Sequence, residues 1–401
     1  MRTLVISPFF YPELISTGRY NTWLANGLVK RGCQVTVFAC HPVYPDWQVK
    51  FTNQQLANIK IIRGGAWLRF PSSAIIRRAI LEVWFSVFVF LSYLRFGRDI
   101  NLVVSIYPPS LFSVLLSFIL NKKNIKVGIV HDLQGVYLQS PTSKLKSLIA
   151  WLINIVERST FNSCDRLIFL SMSMAKEAIK NYKIDPLKVV VCYPFPTLEI
   201  REEPLCMLDD LLSESKLHIV YSGALGEKQN PKLLYQFLNN ISLNDSSYQC
   251  HIFSAGPVFE SLKILFSKST KNFVAFHDLV SDDELQNLYE KSYVQVIPQA
   301  SGVGHGSLPS KLPNILFSGT PIFAICDSDC ELATLIREID GGGVGDSWDL
   351  NNLENEFKRF ISYIKKESIS ERRLRLRPIV EKYFSLDFLL DNILLIGKDN
   401  E

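Results

Sequence analysis

The chain has 401 residues, 47% of them hydrophobic and 20% charged, which excludes a disordered protein and, being long for one ordinary core, suits two domains of roughly 200 residues each. Its net charge of +4 conceals an asymmetry: residues 1–198 carry 23 Lys and Arg against 9 Asp and Glu, a balance of +14, and the remainder carries 20 against 30, a balance of −10. A basic half beside an acidic one suits the approach of one domain to an anionic surface or substrate, and nothing else in the sequence supports nucleic acid as that partner.

From the start of the chain, MRTLVISPFF has one basic residue and a short apolar run broken at Pro8, without the length or cleavage site of a signal peptide. Export is therefore not expected. LVIS (4–7) reads as a short strand, and residues 17–31 have helical spacing through Tyr20, Leu24, Leu28 and Arg31, with Gly32 as the stop. QVTVFA (34–39), NLVVSI (101–106), IKVGIV (125–130), RLIFLS (166–171) and KVVVCY (188–193) are apolar, β-branched runs separated by helical patterns, the signature of a parallel sheet covered on both faces. The pattern restarts with LHIVYSG (217–223), YQCHIFSAG (248–256), FVAFHD (273–278), YVQVIPQ (293–299) and PIFAIC (321–326), giving a second doubly wound domain. The Pro-rich and charged stretch 194–216 between them reads as a linker, with the boundary near residue 199. A long helix is expected over 349–365, followed by the basic stretch 371–378 and a final apolar-faced helix.

Residues 79–96, AILEVWFSVFVFLSYLRF, form a long apolar run flanked by Arg77, Arg78, Arg95 and Arg98. It is slightly short for a membrane span, contains Glu82 and sits inside the strand pattern of a single sheet, which disfavours spanning. Two readings stay open: a buried core helix, or a helix lying in a bilayer interface with Trp84 and phenylalanines inserted and the arginines on lipid phosphates. The eight cysteines have no metal-ligand spacing and fit a reducing cytoplasm.

Four loops carry candidate chemistry. After the first strand, Thr17 and Gly18 lie where a helix start offers free amides to a phosphate, although a glycine there also serves as an ordinary cap. His131 and Asp132 follow a buried strand, where parallel sheets place ligands, and the alternative is a histidine satisfied by its own loop. In YSGALGEKQNP (221–231), Gly223 is followed by Lys228 and Gln229 at a helix start, a set suited to a diphosphate. Residues 299–322 combine Gly302, Gly304 and Gly306 with Ser310 and Lys311, which suits a loop wrapped around an anionic ligand. Asp327-Ser328-Asp329 reads as the cap of the helix beginning ELATLI rather than as a metal site, and no metal is expected.

The ordered segments PFFYPELISTGRY, HPVYPDW (41–47), VHDLQG, YSGALGEKQNP, LVSDDELQNLYEKSYVQVIP and LPSKLPNILFSGTPIFAICDSDCELATLI resemble glycosyltransferase family 4, nearest its capsular and colanic-acid polysaccharide branch, over essentially the whole chain. The resemblance implies a GT-B fold, two Rossmann-like α/β domains facing across a cleft: an acceptor-side domain at 1–198, a nucleotide-sugar domain at 199–384, and a C-terminal helix at 385–401 packing back on the first domain. It implies that Gly18 and Thr17 face the donor diphosphate and that His131 or Asp132 lines the sugar site. Lys228, with Gly223 and Gln229, would counter the diphosphate charge, Ser310 and Lys311 would cap the nucleotide sugar with Gly302, Gly304 and Gly306 giving close approach, and Tyr44 and Trp47 would lie on the acceptor side. Glu331 would mark the family's final segment. Two glutamates that many relatives carry eight positions apart are Gly306 and Asn314 here, so ribose contact would fall to the Asn314 amide. An arginine of some relatives is Ala224.

The function implied is retaining, metal-independent transfer of a sugar from a UDP- or GDP-sugar to a glycan linked to polyprenyl diphosphate, without a cofactor, in exopolysaccharide, capsule or O-antigen synthesis. Residues 77–98 would dock the protein on the anionic inner face of the cell membrane from the cytoplasm. The alternatives are a nucleotide-binding partner subunit without turnover and a sugar-nucleotide epimerase or synthase of the same fold.

Overall fold

The computed structural model describes residues 1–13, 15–44, 46–71, 73–121, 123–134, 144–198, 201, 208–267, 272–304 and 308–395, with backbone alone at 74, 144–146 and 267. The chain divides into two compact units, Met1–Pro194 joined by the segment from Ser385, and Phe195–Phe384. In chain order the first unit runs β1 (Arg2–Ile6), α1 (Ser16–Lys30), β2 (Gln34–Cys40), β3 (Ile59–Gly64), α2 (Ala74–Phe96), β4 (Leu102–Tyr107), α3 (Leu111–Ser117), β5 (Ile125–Val130), α4 (Lys144–Ser163), β6 (Arg166–Phe169), α5 (Met172–Tyr182) and β7 (Val189–Val191). The second runs β8 (Leu217–Ser222), α6 (Pro231–Asn244), β9 (Tyr248–Phe253), α7 (Pro257–Ser267), β10 (Val274–His277), α8 (Leu285–Lys291), β11 (Val294–Pro298), α9 (Leu312–Ser318), β12 (Ile322–Ile325), α10 (Glu331–Glu338), β13 (Gly342–Gly345), α11 (Leu350–Ile364) and α12 (Ile369–Tyr383), and α13 (Leu386–Leu394) returns to the first unit.

Each unit is a parallel sheet, seven strands in the order β3-β2-β1-β4-β5-β6-β7 and six in the order β10-β9-β8-β11-β12-β13. The doubly wound α/β class expected from the sequence is the one observed. Strand direction of winding reverses between β1 and β4 and between β8 and β11, and at such switch points the loops leaving the carboxyl ends part to form a crevice. The apolar runs form strands because both faces are covered: every residue of β4 and of β12 is buried.

Two strands escaped the sequence reading. β3 is a short edge strand beside β2, with three of its six residues half-buried. β13 is GGVG, without a β-branched run to announce it, and its glycines are a packing requirement: a Cβ on Gly342 would fall 2.1 Å from the Ile322 carbonyl oxygen, and one on Gly343 would fall 2.6 Å from the Phe360 ring. The cap of α10 also differs from expectation. Cys330 rather than the Asp327–Asp329 run is the N-cap, its thiol sulfur accepting from the Ala333 amide at 3.4 Å.

The final helix α13 packs on α1 at Gly27, where a Cβ would lie 2.8 Å from Leu390. Arg31 at the end of α1 pairs with Asp387 at 2.8 Å and Asp391 at 2.5 Å, and Arg166 donates to the Asn392 carbonyl at 2.9 Å.

Helix α2 resolves the two open readings into two faces. Phe85 and Val89 are fully buried in the first unit's core, and Trp84 stacks on Phe88 with ring centroids 5.3 Å apart. Trp84 and Phe88, expected to insert into a bilayer, thus pack inward. Glu82 caps the next helix: its carboxylate accepts from the Ser110 and Leu111 amides at 2.6 Å. The opposite face leaves Ile76, Val83, Val87, Leu91 and Leu94 about half exposed. Among the described residues α2 alone is long and apolar enough to cross a membrane, with 28% of its most apolar window buried.

The second unit holds a buried chain of three imidazoles across adjacent strands. His218 Nδ1 lies 2.9 Å from His251 Nε2, His251 Nδ1 lies 3.0 Å from His277 Nε2, and His218 Nε2 lies 2.8 Å from the Ser213 carbonyl oxygen. That carbonyl only accepts, so His218 carries its proton on Nε2. Neutral rings must then repeat the same tautomer along the chain, and each N···N contact holds a single proton. Burial pushes His251 down to about 3, helped by its two neighbours, and lowers His218 and His277 as well.

These rings are neutral in the folded unit and take up protons near 6.5 when unfolded. Their contribution to stability is therefore complete above pH 6.5 and is lost as pH falls below it. For His251 alone the loss by pH 5 is about 2 kcal/mol. We expect hydrogen exchange in β8–β10 to accelerate between pH 7 and pH 5, after correction for intrinsic rates, and His251→Gln to flatten that dependence. An identical pH slope in the variant would contradict this account.

Candidate active site

The first unit's rim is built from the loops after β1, β2 and β5. Helix α1 starts at Ser16 without a side-chain cap, so the amides of its first turn, including Thr17 and Gly18, are not satisfied by a cap residue. Gly18 is buried, and the space its missing side chain leaves is already filled: a Cβ there would lie 2.9 Å from Glu13 Cβ and 3.0 Å from the Glu13 carbonyl oxygen. The glycine admits Glu13 to the space beside the helix start. Glu13 is 4% exposed, and its carboxylate accepts from the Val43 amide at 2.8 Å and the Tyr44 amide at 3.1 Å.

That clamp fixes the loop bearing the expected acceptor-side residues. The Tyr44 hydroxyl is raised in pKa by burial and by Glu13. Trp47 takes a left-handed backbone, φ 56°, and packs its ring against Phe9 and Phe70 at centroid separations of 6.2 and 5.7 Å. The Arg77 guanidinium lies 4.1 Å over the same ring, so this arginine of the 77–98 segment is engaged by an aromatic face.

His131 and Asp132 stand directly after β5. The His131 amide adds one more ladder bond, to the Tyr107 carbonyl at 2.9 Å, and its ring meets Tyr20 edge-on at 5.0 Å. Burial pushes the imidazole down to about 4, so it is neutral at pH 7. Its Nε2 is enclosed and has no hydrogen-bond partner among the described residues. Asp132 accepts from the Leu133 amide at 3.1 Å, and Gln134 donates its amide to Glu157 at 2.9 Å.

The second unit's rim centres on Lys311. Its Nζ donates to the Ser222 carbonyl at 2.9 Å, lies 3.9 Å from the centroid of the Tyr221 ring, and would be 3.6 Å from a Cβ on Gly223, whose φ of 133° suits glycine alone. Burial pushes this ammonium down to about 7. The structure thus brings Gly223 and Lys311 together at the switch point of the second sheet. Lys228 is exposed on a single turn, Glu227–Gln229, and its carbonyl accepts from the Ala300 amide at 2.8 Å, tying that turn to the loop after β11.

Three expected donor contacts are engaged elsewhere. The Gln229 side chain accepts from the Gly226 amide at 2.9 Å and so caps its own turn. Gly304 is required by packing, since a Cβ would meet Cys330 Cβ at 2.7 Å. Asn314 is 8% exposed and grips the start of the second unit: its Oδ1 accepts from Thr197 at 2.7 Å and Leu198 at 3.2 Å, and its Nδ2 donates to Thr197 Oγ1 at 3.3 Å. An amide so placed is not available to a ribose. Gly302, by contrast, has open space, φ 76° and an amide donated to Asp327 at 2.6 Å. Ser310 is exposed just before α9, and Gly306 lies outside the described residues.

Asp327, paired with the Gly302 amide, thus serves the loop, and among the described residues no three His, Cys, Asp or Glu side chains gather as a metal-binding group. Sequence reasoning missed Glu13 and Glu157, whose importance comes from contacts to distant loop amides.

The model of Glycosyltransferase Family 4 matches residues 17–198. A glycosyl transferase of Escherichia coli K12 named for colanic acid biosynthesis, WcaI, is 26% identical over 362 residues, 85% of this chain and 87% of that protein. Among solved structures, sucrose-phosphate synthase of Thermosynechococcus elongatus superposes with TM-score 0.72 at 15% identity, covering 99% of this chain and 98% of that one. WaaG, a glycosyltransferase of lipopolysaccharide biosynthesis, superposes with TM-score 0.70 at 14% identity over 98% and 99%. The structural likeness establishes the GT-B fold of both units, and the match of residues 17–198 to the family 4 model, together with the WcaI relative, supports the chain as a glycosyltransferase similar to that family across its first unit.

Proposed function

We propose that the protein transfers a sugar, with retention and without a metal ion, from a nucleoside-diphosphate sugar to a glycan carried on a lipid diphosphate, in the synthesis of a cell-surface polysaccharide. The observation that carries this reading is the Lys311 ammonium, desolvated at the switch point and, among the described residues, held by a neutral carbonyl and a ring face. Such a cation lacks the counter-charge that a leaving diphosphate brings, and stabilising that charge is the main demand of breaking an anomeric bond. Exposed Lys228 on the neighbouring loop adds a second cation. In the first unit the neutral His131 offers to a sugar hydroxyl one ring nitrogen that has no partner among the described residues. The relative named for colanic acid biosynthesis supports a polysaccharide product.

The lipid-linked acceptor is supported by the surface of the first unit. Besides the exposed stripe of α2, α4 exposes Leu148, Trp151, Leu152 and Ile155 at helical spacing, and α3 packs between these two helices. Arg78, Arg95 and Arg98 are exposed beside the α2 stripe. Apolar stripes edged by arginines in a half of the chain with a +14 balance suit an anionic bilayer.

A nucleotide-binding subunit without turnover is the second reading, favoured by the engagement of Asn314 within the fold. Binding of UDP or GDP with neither hydrolysis nor transfer across UDP- and GDP-sugars would select it.

Calorimetry with UDP and GDP tests the Lys311 assignment. A bound diphosphate raises the ammonium pKa, so affinity should be constant below pH 7 and fall as pH rises above about 7, with proton uptake on binding. Lys311→Met should weaken binding on the order of tenfold to a hundredfold, lose the pH dependence and keep the fold, and EDTA should change nothing. Wild-type affinity in Lys311→Met removes the reading. His131→Ala should lower kcat and leave nucleotide affinity unchanged, and an unaltered kcat takes His131 out of the reaction. Replacing exposed Val83, Val87 and Leu91 by serine should abolish sedimentation with phosphatidylglycerol vesicles while circular dichroism stays native; persistent sedimentation refutes α2 as the membrane contact.

A further inference from the structure

The first unit contains glutamates whose carboxylates accept from backbone amides, and all of those amides follow strand ends at the carboxyl edge of its sheet. Glu13 serves the loop after β2, Glu82 the segment after β4, and Glu157 the loop after β5. Glu82 caps helical amides, an ordinary task. Glu157 does something else: from α4, 2% exposed, it reaches Gln134 in an irregular loop, two residues beyond Asp132 and three beyond His131.

We propose that Glu157 is a positioning residue of the transfer reaction, a buried carboxylate that holds the His131–Gln134 loop by its backbone so that His131 meets the sugar in one orientation. The assignment rests on the role given to His131 above. Its geometry is a two-ended anchor. The His131 amide is tied to the Tyr107 carbonyl at 2.9 Å and the Gln134 amide to Glu157 Oε1 at 2.9 Å, so both ends of a four-residue segment are fixed. The second oxygen, Oε2, is fixed in turn by the hydroxyl of Tyr182, which is fully buried on α5. One turn further along α4, Thr160 Oγ1 donates to the Ser110 carbonyl at 3.0 Å, so the same helix also holds the segment after β4.

A buried hydrogen bond from a neighbouring helix fixes a loop amide in place. A neutral glutamine would satisfy the amide as well. What the bond adds is a fixed position for the loop, which matters where a misplacement of about 1 Å costs on the order of a hundredfold in rate.

Glu157→Leu, Glu157→Gln, Tyr182→Phe and Glu82→Gln would be compared by melting temperature, by hydrogen exchange over 131–134, by UDP and GDP affinity, and by kcat with whichever UDP- or GDP-sugar the wild type turns over. Glu157→Leu should speed exchange in the loop, lower kcat on the order of a hundredfold and leave nucleotide affinity within about twofold. Glu157→Gln should recover most of kcat. Glu82→Gln should lower the melting temperature and spare kcat, as a change in structural support alone would, and Tyr182→Phe should lower kcat by less than Glu157→Leu does.

If kcat instead follows melting temperature across all four variants, Glu157 is merely structural and the proposal falls. Faster exchange with wild-type kcat in Glu157→Leu also overturns it, and His131→Ala then says which idea failed. A lowered kcat in His131→Ala leaves the site standing without the positioning role, whereas a silent His131→Ala removes the site itself.

Discussion

A parallel strand that ends leaves its last amides and carbonyls without ladder partners, and both rims of this protein are organised by how those groups are satisfied. In the first unit the answer is carboxylate: Glu13, Glu82 and Glu157 each reach from another element to accept amides beyond β2, β4 and β5. In the second it is more varied, with the Lys311 ammonium on the Ser222 carbonyl, Asp327 on the Gly302 amide, and the Ala300 amide on the Lys228 carbonyl. The consequence is that each rim is tied down by bonds from other elements.

The architecture was legible because parallel strands buried on both faces must be apolar throughout, and runs such as IKVGIV and PIFAIC admit few other readings. β3 and β13 were not legible for opposite reasons: β3 lies at an edge where burial is partial, and β13 is made of glycines selected by what presses on them. The α10 cap was misread because Asp and Ser are the usual caps, whereas the chain uses the Cys330 thiol.

The candidate site was legible in position at Gly223 and His131, directly after strands, and at Lys311, at a helix start. It was misread where a residue's role is set by a neighbour far away in sequence. Gly18 and Gly304 have the appearance of ligand glycines, yet Glu13 and Cys330 fill the spaces they leave. Asn314 stands where a ribose contact was expected and instead bonds to Thr197 and Leu198, more than a hundred residues earlier. Helix α2 shows the same limit from the other side: its composition is apolar all round, and only packing decides that Trp84 and Phe88 belong to the core while Val83 and Val87 remain outside.

The return of α13 to α1, fastened by Leu390 against Gly27 and by Arg31 between Asp387 and Asp391, makes the second unit an insertion within the first. A ribosome delivers the chain from its N-terminus, and domains ordinarily fold as they emerge. Here the first unit must wait with one face of α1 uncovered through the synthesis of the whole second unit. Its last piece arrives only after the whole second unit has been made, so the half that emerges first is the half that finishes last.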